Sequence, residues 1–205
     1  MDTRLTVFGL ATLCAAALHG APAAAQERSN HQEIQVYGGE LFGDRITETP
    51  ISGSTPRLDD NVTFGARYTY HFTDTWGLQL SGGYSPGRAA HAASGSGNLG
   101  LTTVDVDAVW NFTPGYRIVG YTIAGVGYAR ANFDQAIKGT VRGQYIGISD
   151  SNSFTANAGI GAKYYLTSNL FVDAEARYRY LNRLVSHYGQ GLNTVETTVG
   201  LGWRF

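Results

Sequence analysis

Apolar residues alternate with polar or small ones, at a period of two, through about eight segments of this chain. The last is the plainest. Val195, Thr197, Val199, Leu201, Trp203 and Phe205 share one face, and Glu196, Thr198, Gly200, Gly202 and Arg204 share the other. Such alternation predicts strand, because successive side chains leave opposite faces of a pleated backbone. The other predicted strands lie near 33–42, 61–72, 76–85, 103–112, 116–132, 154–166 and 170–180. All but 116–132 are close to the ~9–11 residues a tilted membrane-crossing strand needs. In 61–72, Val62, Phe64, Ala66, Tyr68, Tyr70 and Phe72 oppose Thr63, Arg67, Thr69 and His71. In 170–180, Val172, Ala174, Ala176, Tyr178 and Tyr180 oppose Phe171, Asp173, Glu175, Arg177 and Arg179. Two phases are open: Glu40 falls in step with Ile34 and Val36, and Tyr121 and Ile123 oppose Val126 and Tyr128, which admits a bulge in 116–132.

The connections alternate too. Thr73-Asp74-Thr75, Thr113-Pro114-Gly115 and Thr167-Ser168-Asn169 are built from turn formers. Between them run long polar stretches at 44–60, 86–101, 133–153 and 182–191. Short turns on one rim and long loops on the other are the pattern of an outer-membrane barrel, and predict both chain ends on the periplasmic, short-turn side. The expected fold is all-β: an eight-stranded antiparallel up-and-down transmembrane β-barrel. Aromatics fall at both strand ends. Phe72, Trp76, Trp110, Phe112 and Tyr116 (with Trp203 and Phe205) form one expected girdle, and Tyr84, Phe154 and Tyr180 the other, as two lipid–water interfaces select.

Composition decides which face is inside. A soluble barrel has the same strand count with apolar residues within, but its outer face would carry many long charged side chains. Here the polar face is mostly Gly, Ser, Thr and Asn, and charged residues are 15% of the chain, against about 25% in soluble domains. The charges in that phase balance: Asp105, Asp107, Asp173, Glu175 and Glu196 against Arg67, Lys163, Arg177, Arg179 and Arg204. They read as an ion-pair network plugging the lumen, since Arg or Lys facing mid-bilayer lipid costs roughly 2–4 kcal/mol. The net charge of −1 points to no nucleic-acid face.

Residues 1–25 read as a secretory signal: a charged start through Arg4, an apolar run from Leu5, and a small-residue cleavage site at Ala23-Ala24-Ala25. Residues 26–205 form the barrel domain, opening on a disordered tip at 26–32. The single Cys14 lies in the apolar run behind Leu13, where a lipoprotein site wants a small residue. The cleaved chain then offers no disulfide or thiol chemistry.

Ala124-Gly125-Val126-Gly127-Tyr128-Ala129-Arg130, the run from Asp173 to Tyr180, and Val199-Gly200-Leu201-Gly202-Trp203-Arg204-Phe205 resemble the small outer-membrane β-barrel family, which includes the OmpA-type transmembrane domain and OmpX-like proteins. The resemblance covers 26–205. It implies that the barrel-assembly machinery reads Phe205 with Trp203, Leu201 and Val199. It also implies outer-membrane lipid and lipopolysaccharide as surroundings, and a monomer. The peptidoglycan-binding domain of larger members is not expected here, since the chain ends on the barrel.

No catalytic, cofactor or metal site is read from the sequence. A lipid A deacylase of the small-barrel type places a His and a Ser two apart near the last strand, with an acid beyond. Here His187 and Glu196 fit but Gly189 holds the nucleophile position, and neighbouring Ser186 would point away from His187. Gly159-Ile160-Gly161-Ala162-Lys163 lacks phosphate-loop spacing and sits mid-strand. His31, His71, His91 and His187 lie on separate segments, so no metal site is argued. Asp44, Glu48, Asp59 and Asp60 read as a solvated acidic loop. The expected role is structural or surface-interactive through four external loops. The alternatives are a narrow diffusion channel, which needs the lumen network to open, and a lipid A-modifying enzyme. An OmpW-like path for apolar molecules would want an apolar lumen.

Overall fold

The computed structural model describes residues 31–43, 61–88, 98–133, 137–141, 144–148, 151–182 and 192–205. Ten strands appear in chain order: β1 (His31–Gly43), β2 (Asn61–His71), β3 (Trp76–Arg88), β4 (Asn98–Asn111), β5 (Ile118–Phe133), β6 (Ile137–Val141), β7 (Gln144–Ile148), β8 (Ser151–Tyr165), β9 (Leu170–Leu181) and β10 (Leu192–Arg204). Eight close into one antiparallel barrel in the order β1-β10-β9-β8-β5-β4-β3-β2, and β6 and β7 form a separate hairpin. That hairpin lies within the stretch 133–153, expected to be a plain loop. Residues 26–30 lie outside the described residues, but His31 and Gln32 are strand rather than tip. Gln32 and Phe205 exchange backbone hydrogen bonds of 3.0 Å in each direction, which extends the closing seam to the last residue.

Closure needs a stagger between strands. Following paired residues around the barrel, the path leaves β1 at Glu33, passes Thr69, Gln79, Asp107, Gly125, Asn157, Arg179 and Thr194, and returns to β1 at Gly43. From 33 to 43 is a stagger of ten residues. The strands therefore tilt, which is how their 11–16 residues are accommodated in a thin membrane.

Each tight turn is tied by a threonine. Thr73 Oγ1 accepts from Trp76 N (2.9 Å), Thr167 Oγ1 from Leu170 N (2.9 Å), and Thr113 Oγ1 from Gly120 N (2.7 Å). In the third, Gly115 adopts φ 86°, which Pro114 ahead of it sets up and a β-carbon would oppose.

Side-chain placement settles the faces: Leu80 is 51% exposed and Arg177 only 2%. Ile34, Val36, Phe64, Val104, Val106, Val199 and Leu201 all face outward. The pairing of β5 with β4 and with β8 is unbroken, so there is no bulge. Tyr121 and Ile123 simply point inward while Val126 and Tyr128 point outward. In β1, Glu40 does lie outward with Ile34 and Val36, toward the long-connection rim.

The aromatics at the short-turn rim make contact with one another. Trp76 and Trp110 are register partners with ring centroids 6.3 Å apart, and Phe112 lies 6.0 Å from Trp110. Phe72, Tyr116, Trp203 and Phe205 are exposed around the same rim. Tyr84 meets Phe64 at 5.6 Å, and Phe154 meets Tyr128 at 6.1 Å, nearer the other end; Tyr180 is exposed there too.

Candidate functional site

The inward face of β9 presents Asp173, Glu175, Arg177 and Arg179 in succession, because residues two apart share a face. β9 stands three strands from β2 in one direction and three from β4 in the other, so its ion pairs cross the lumen. Arg67 of β2 reaches Asp173 (3.2 Å) and Glu175 (3.0 Å). Arg177 lies between Glu175 (3.0 Å) and Asp105 of β4 (3.1 Å). It also stands 3.1 Å from Asp107 as an ion pair without hydrogen-bond geometry, since its Nη2 donates to Gln79 Oε1 (3.2 Å). Arg179 joins Asp105 (2.7 Å) to Glu196 of β10 (3.0 Å). Tyr121 Oη shares its one proton between Asp173 (2.6 Å) and Glu175 (2.9 Å), and Gln35 donates to Asp173 (2.7 Å). All the charged members are buried. Isolated, each would be costly to desolvate; linked and hydrogen-bonded, they offset that cost mutually.

Two of the expected ten behave differently. Lys163 pairs with Glu33 of β1, which the sequence reading did not include. Arg204 makes no ion pair among the described residues. Its Nη2 donates to the Ser168 carbonyl (2.5 Å), and its guanidinium lies 5.3 Å from the Tyr165 ring. Arg204 is the register partner of Glu33, but that carboxylate is already taken by Lys163 and by Tyr165 Oη (2.7 Å). The five-against-five balance is corrected accordingly. The buried acids are Glu33, Asp105, Asp107, Asp173, Glu175 and Glu196, six against the same five cations. Phase was the available signal: Glu33 alternates with outward Ile34 and so belongs inside.

The lumen is also less uniformly polar than the alternation of the other segments implied. Val109, Tyr121 and Ile123 form one buried apolar cluster, and Val119, Tyr165 and Phe171 another near the short-turn mouth. Toward the opposite rim the wall changes to Leu41, Thr63, Ser85, Leu101 and Thr103, around a recess floored by Arg179 and Glu196.

The expectation that the histidines stand apart is corrected for two of them. The register of β1 on β2 sets His31 opposite His71, and their rings stack at 4.4 Å. Glu33 reaches both: His31 Nε2 lies 3.4 Å from Oε1, and His71 Nε2 3.3 Å from Oε2. His91 and His187 lie outside the described residues, as do Ser186, Gly189, Asp44, Glu48, Asp59 and Asp60. Glu196, the candidate deacylase acid, is buried in the lumen on Arg179. Lys163 of the glycine run likewise points into the lumen, two residues before the end of β8.

The outer membrane protein beta-barrel domain family matches residues 10–205. Outer membrane porin F of Pseudomonas fluorescens is 27% identical over 173 residues, covering 82% of this chain and 48% of that protein. The chain thus spans about half the length of this curated relative. Among solved structures, Neisserial surface protein A superposes with a TM-score of 0.56 at 16% identity, covering 85% of this chain and 97% of its own. Ail, the attachment invasion locus protein of Yersinia pestis, in complex with the heparin analogue sucrose octasulfate, gives 0.54 at 18%, covering 86% and 99%. At these identities the structural likeness establishes the fold.

Proposed function

The chain belongs to the outer membrane protein β-barrel domain family, and on that premise we propose a non-enzymatic structural or surface-interaction role, performed by the long connections of a plugged barrel. The observation that carries the reading is the set of ion pairs running from β9 to both β2 and β4 across the lumen. An eight-stranded interior is just wide enough for side chains to fill, and this one is filled with mutually held charges. Variation in what the protein recognises then falls to the segments 44–60, 89–97, 134–150 and 183–191, which connect strand ends on the rim opposite the tight turns. Those segments face the cell exterior, in the outer membrane of a diderm bacterium rich in lipopolysaccharide. The barrel works as a monomer, and the assembly machinery engages its terminal strand through Val199, Leu201, Trp203 and Phe205. The printed names of two structural relatives, a surface protein and an attachment protein, are in keeping with this reading.

The test is adhesion of intact cells carrying the full chain or versions with each long connection shortened, against immobilised extracellular-matrix and glycan surfaces. Loss of binding on shortening one connection, with an unchanged folded band on gels, is the expected result. Equal binding by every shortened version overturns the reading. A second reading, a narrow channel, is favoured by the porin relative's name. Discrete conductance steps from the purified protein in planar bilayers would select it. Altered lipid A masses after expression would instead select an enzyme.

A further inference from the structure

At the short-turn mouth two histidines that the ion-paired lumen does not use gather around Glu33, the acid that Lys163 also holds. His31, Glu33 and His71 offer three ligand atoms that all lie within 4.8 Å of one another. A tetrahedral ion with bonds of about 2.0–2.2 Å has ligand–ligand edges of about 3.3–3.6 Å. Each imidazole already stands at that spacing from one oxygen of the same carboxylate, His31 Nε2 at 3.4 Å from Glu33 Oε1 and His71 Nε2 at 3.3 Å from Oε2. To converge on one ion the stacked imidazoles, whose planes are 19° apart, must tilt toward a shared Glu33 oxygen.

We propose that His31, Glu33 and His71 bind a divalent late first-row transition ion, represented by Zn2+, with its fourth position open to the aqueous mouth. Two imidazoles and one carboxylate suit such ions and not Mg2+ or Ca2+, which prefer oxygen ligands. Access is built in, because the His31 side chain is 12% exposed at the rim while His71 and Glu33 are enclosed. An outer-shell partner for His71 stands within reach. The Asn111 side-chain amide lies 3.4 Å from His71 Nδ1, and its Oδ1 is buried without a hydrogen-bond partner. Turned end for end, that amide gives up its bond to the Asp74 carbonyl and accepts from Nδ1–H. This fixes the tautomer whose Nε2 lone pair a metal requires. Lys163 shares Glu33 with the site, and its ammonium also lies 5.1 Å from the Tyr121 ring and 5.4 Å from the Phe171 ring. The site joins β1 to β2 beside the Gln32–Phe205 pairing, so a bound ion fastens the barrel at its closing seam.

The test is Co2+ titration of the full chain, folded in lipid or detergent and purified without a polyhistidine tag, followed by visible absorption and displacement by Zn2+. Saturable one-to-one binding is expected, with intense tetrahedral bands displaced by Zn2+ but not by Mg2+. His31→Ala, a rim change that leaves the buried His71 in place, should weaken binding at least tenfold. A His91→Ala/His187→Ala double variant should bind as the parent does. Absence of a saturable one-to-one spectrum overturns the site. So does unchanged affinity in His31→Ala, or loss of binding in the double variant.

Discussion

β9 and β5 stand two places apart in the barrel, with β8 between them, and on their outer faces they read alike. Val172, Ala174, Tyr178 and Tyr180 on one match Ala124, Val126 and Tyr128 on the other. Inside they are opposites. β9 projects Asp173, Glu175, Arg177 and Arg179, whereas β5 offers Val119, Tyr121, Ile123, Gly125, Gly127, Ala129 and Ala131. The outer face has one partner everywhere, the hydrocarbon, which demands the same chemistry of every strand. The inner face answers only to the volume and charge of what stands near it. β5 recedes so that its neighbours can project: a β-carbon on Gly125 would collide with Asp107 of β4, and one on Gly127 with Asp105. Those two aspartates are the carboxylates that Arg177 and Arg179 cross the lumen to meet.

The comparison breaks most severely at Arg177. Arg177→Ala strips Glu175, Asp105 and Asp107 of a shared cation, and breaking a buried ion pair from one side costs about 3–5 kcal/mol. Urea unfolding in lipid vesicles should show that loss, and a midpoint within error of the parent would show that the network contributes nothing to stability. Tyr121 is the one long polar reach from β5 toward β9. Tyr121→Phe removes the hydroxyl whose proton the two carboxylates share, a loss of about 1.5–3 kcal/mol by the same measurement. Smaller again is Gly125→Ala, which needs Asp107 and the Val106 backbone to shift and should cost about 1–3 kcal/mol as overpacking. If Gly125→Ala proves stabilising, the receding role of β5 is wrong, and its glycines serve some other end.

Legibility followed the same division. The outward residues of 61–72, 76–85, 103–112 and 170–180 were readable because lipid imposes one rule at every second position. Thr73, Thr113 and Thr167 were readable as turn formers, and short turns set the register of the strands they join. The members of the lumen network were readable by phase, yet their partners were not. Nothing in the chain says that Lys163 meets Glu33 rather than Asp173, or that Arg204 turns to the Ser168 carbonyl. β5 defeated the reading for a related reason: with Tyr121 and Ile123 inside and Val126 and Tyr128 outside, both faces are apolar and period alone loses its contrast.

What the sequence determined by itself was a barrel with lipid outside and charge inside, because period two and the cost of charge in hydrocarbon are local rules that each strand obeys alone. What only the tertiary structure decided was which side chains meet across the interior. β1 and β2 are joined by a long connection that sets no register, so the meeting of His31, His71 and Glu33 depends on pairing established along the whole seam. The same closure, with its ten-residue stagger, brings Arg67 and Asp105 to β9 from opposite walls.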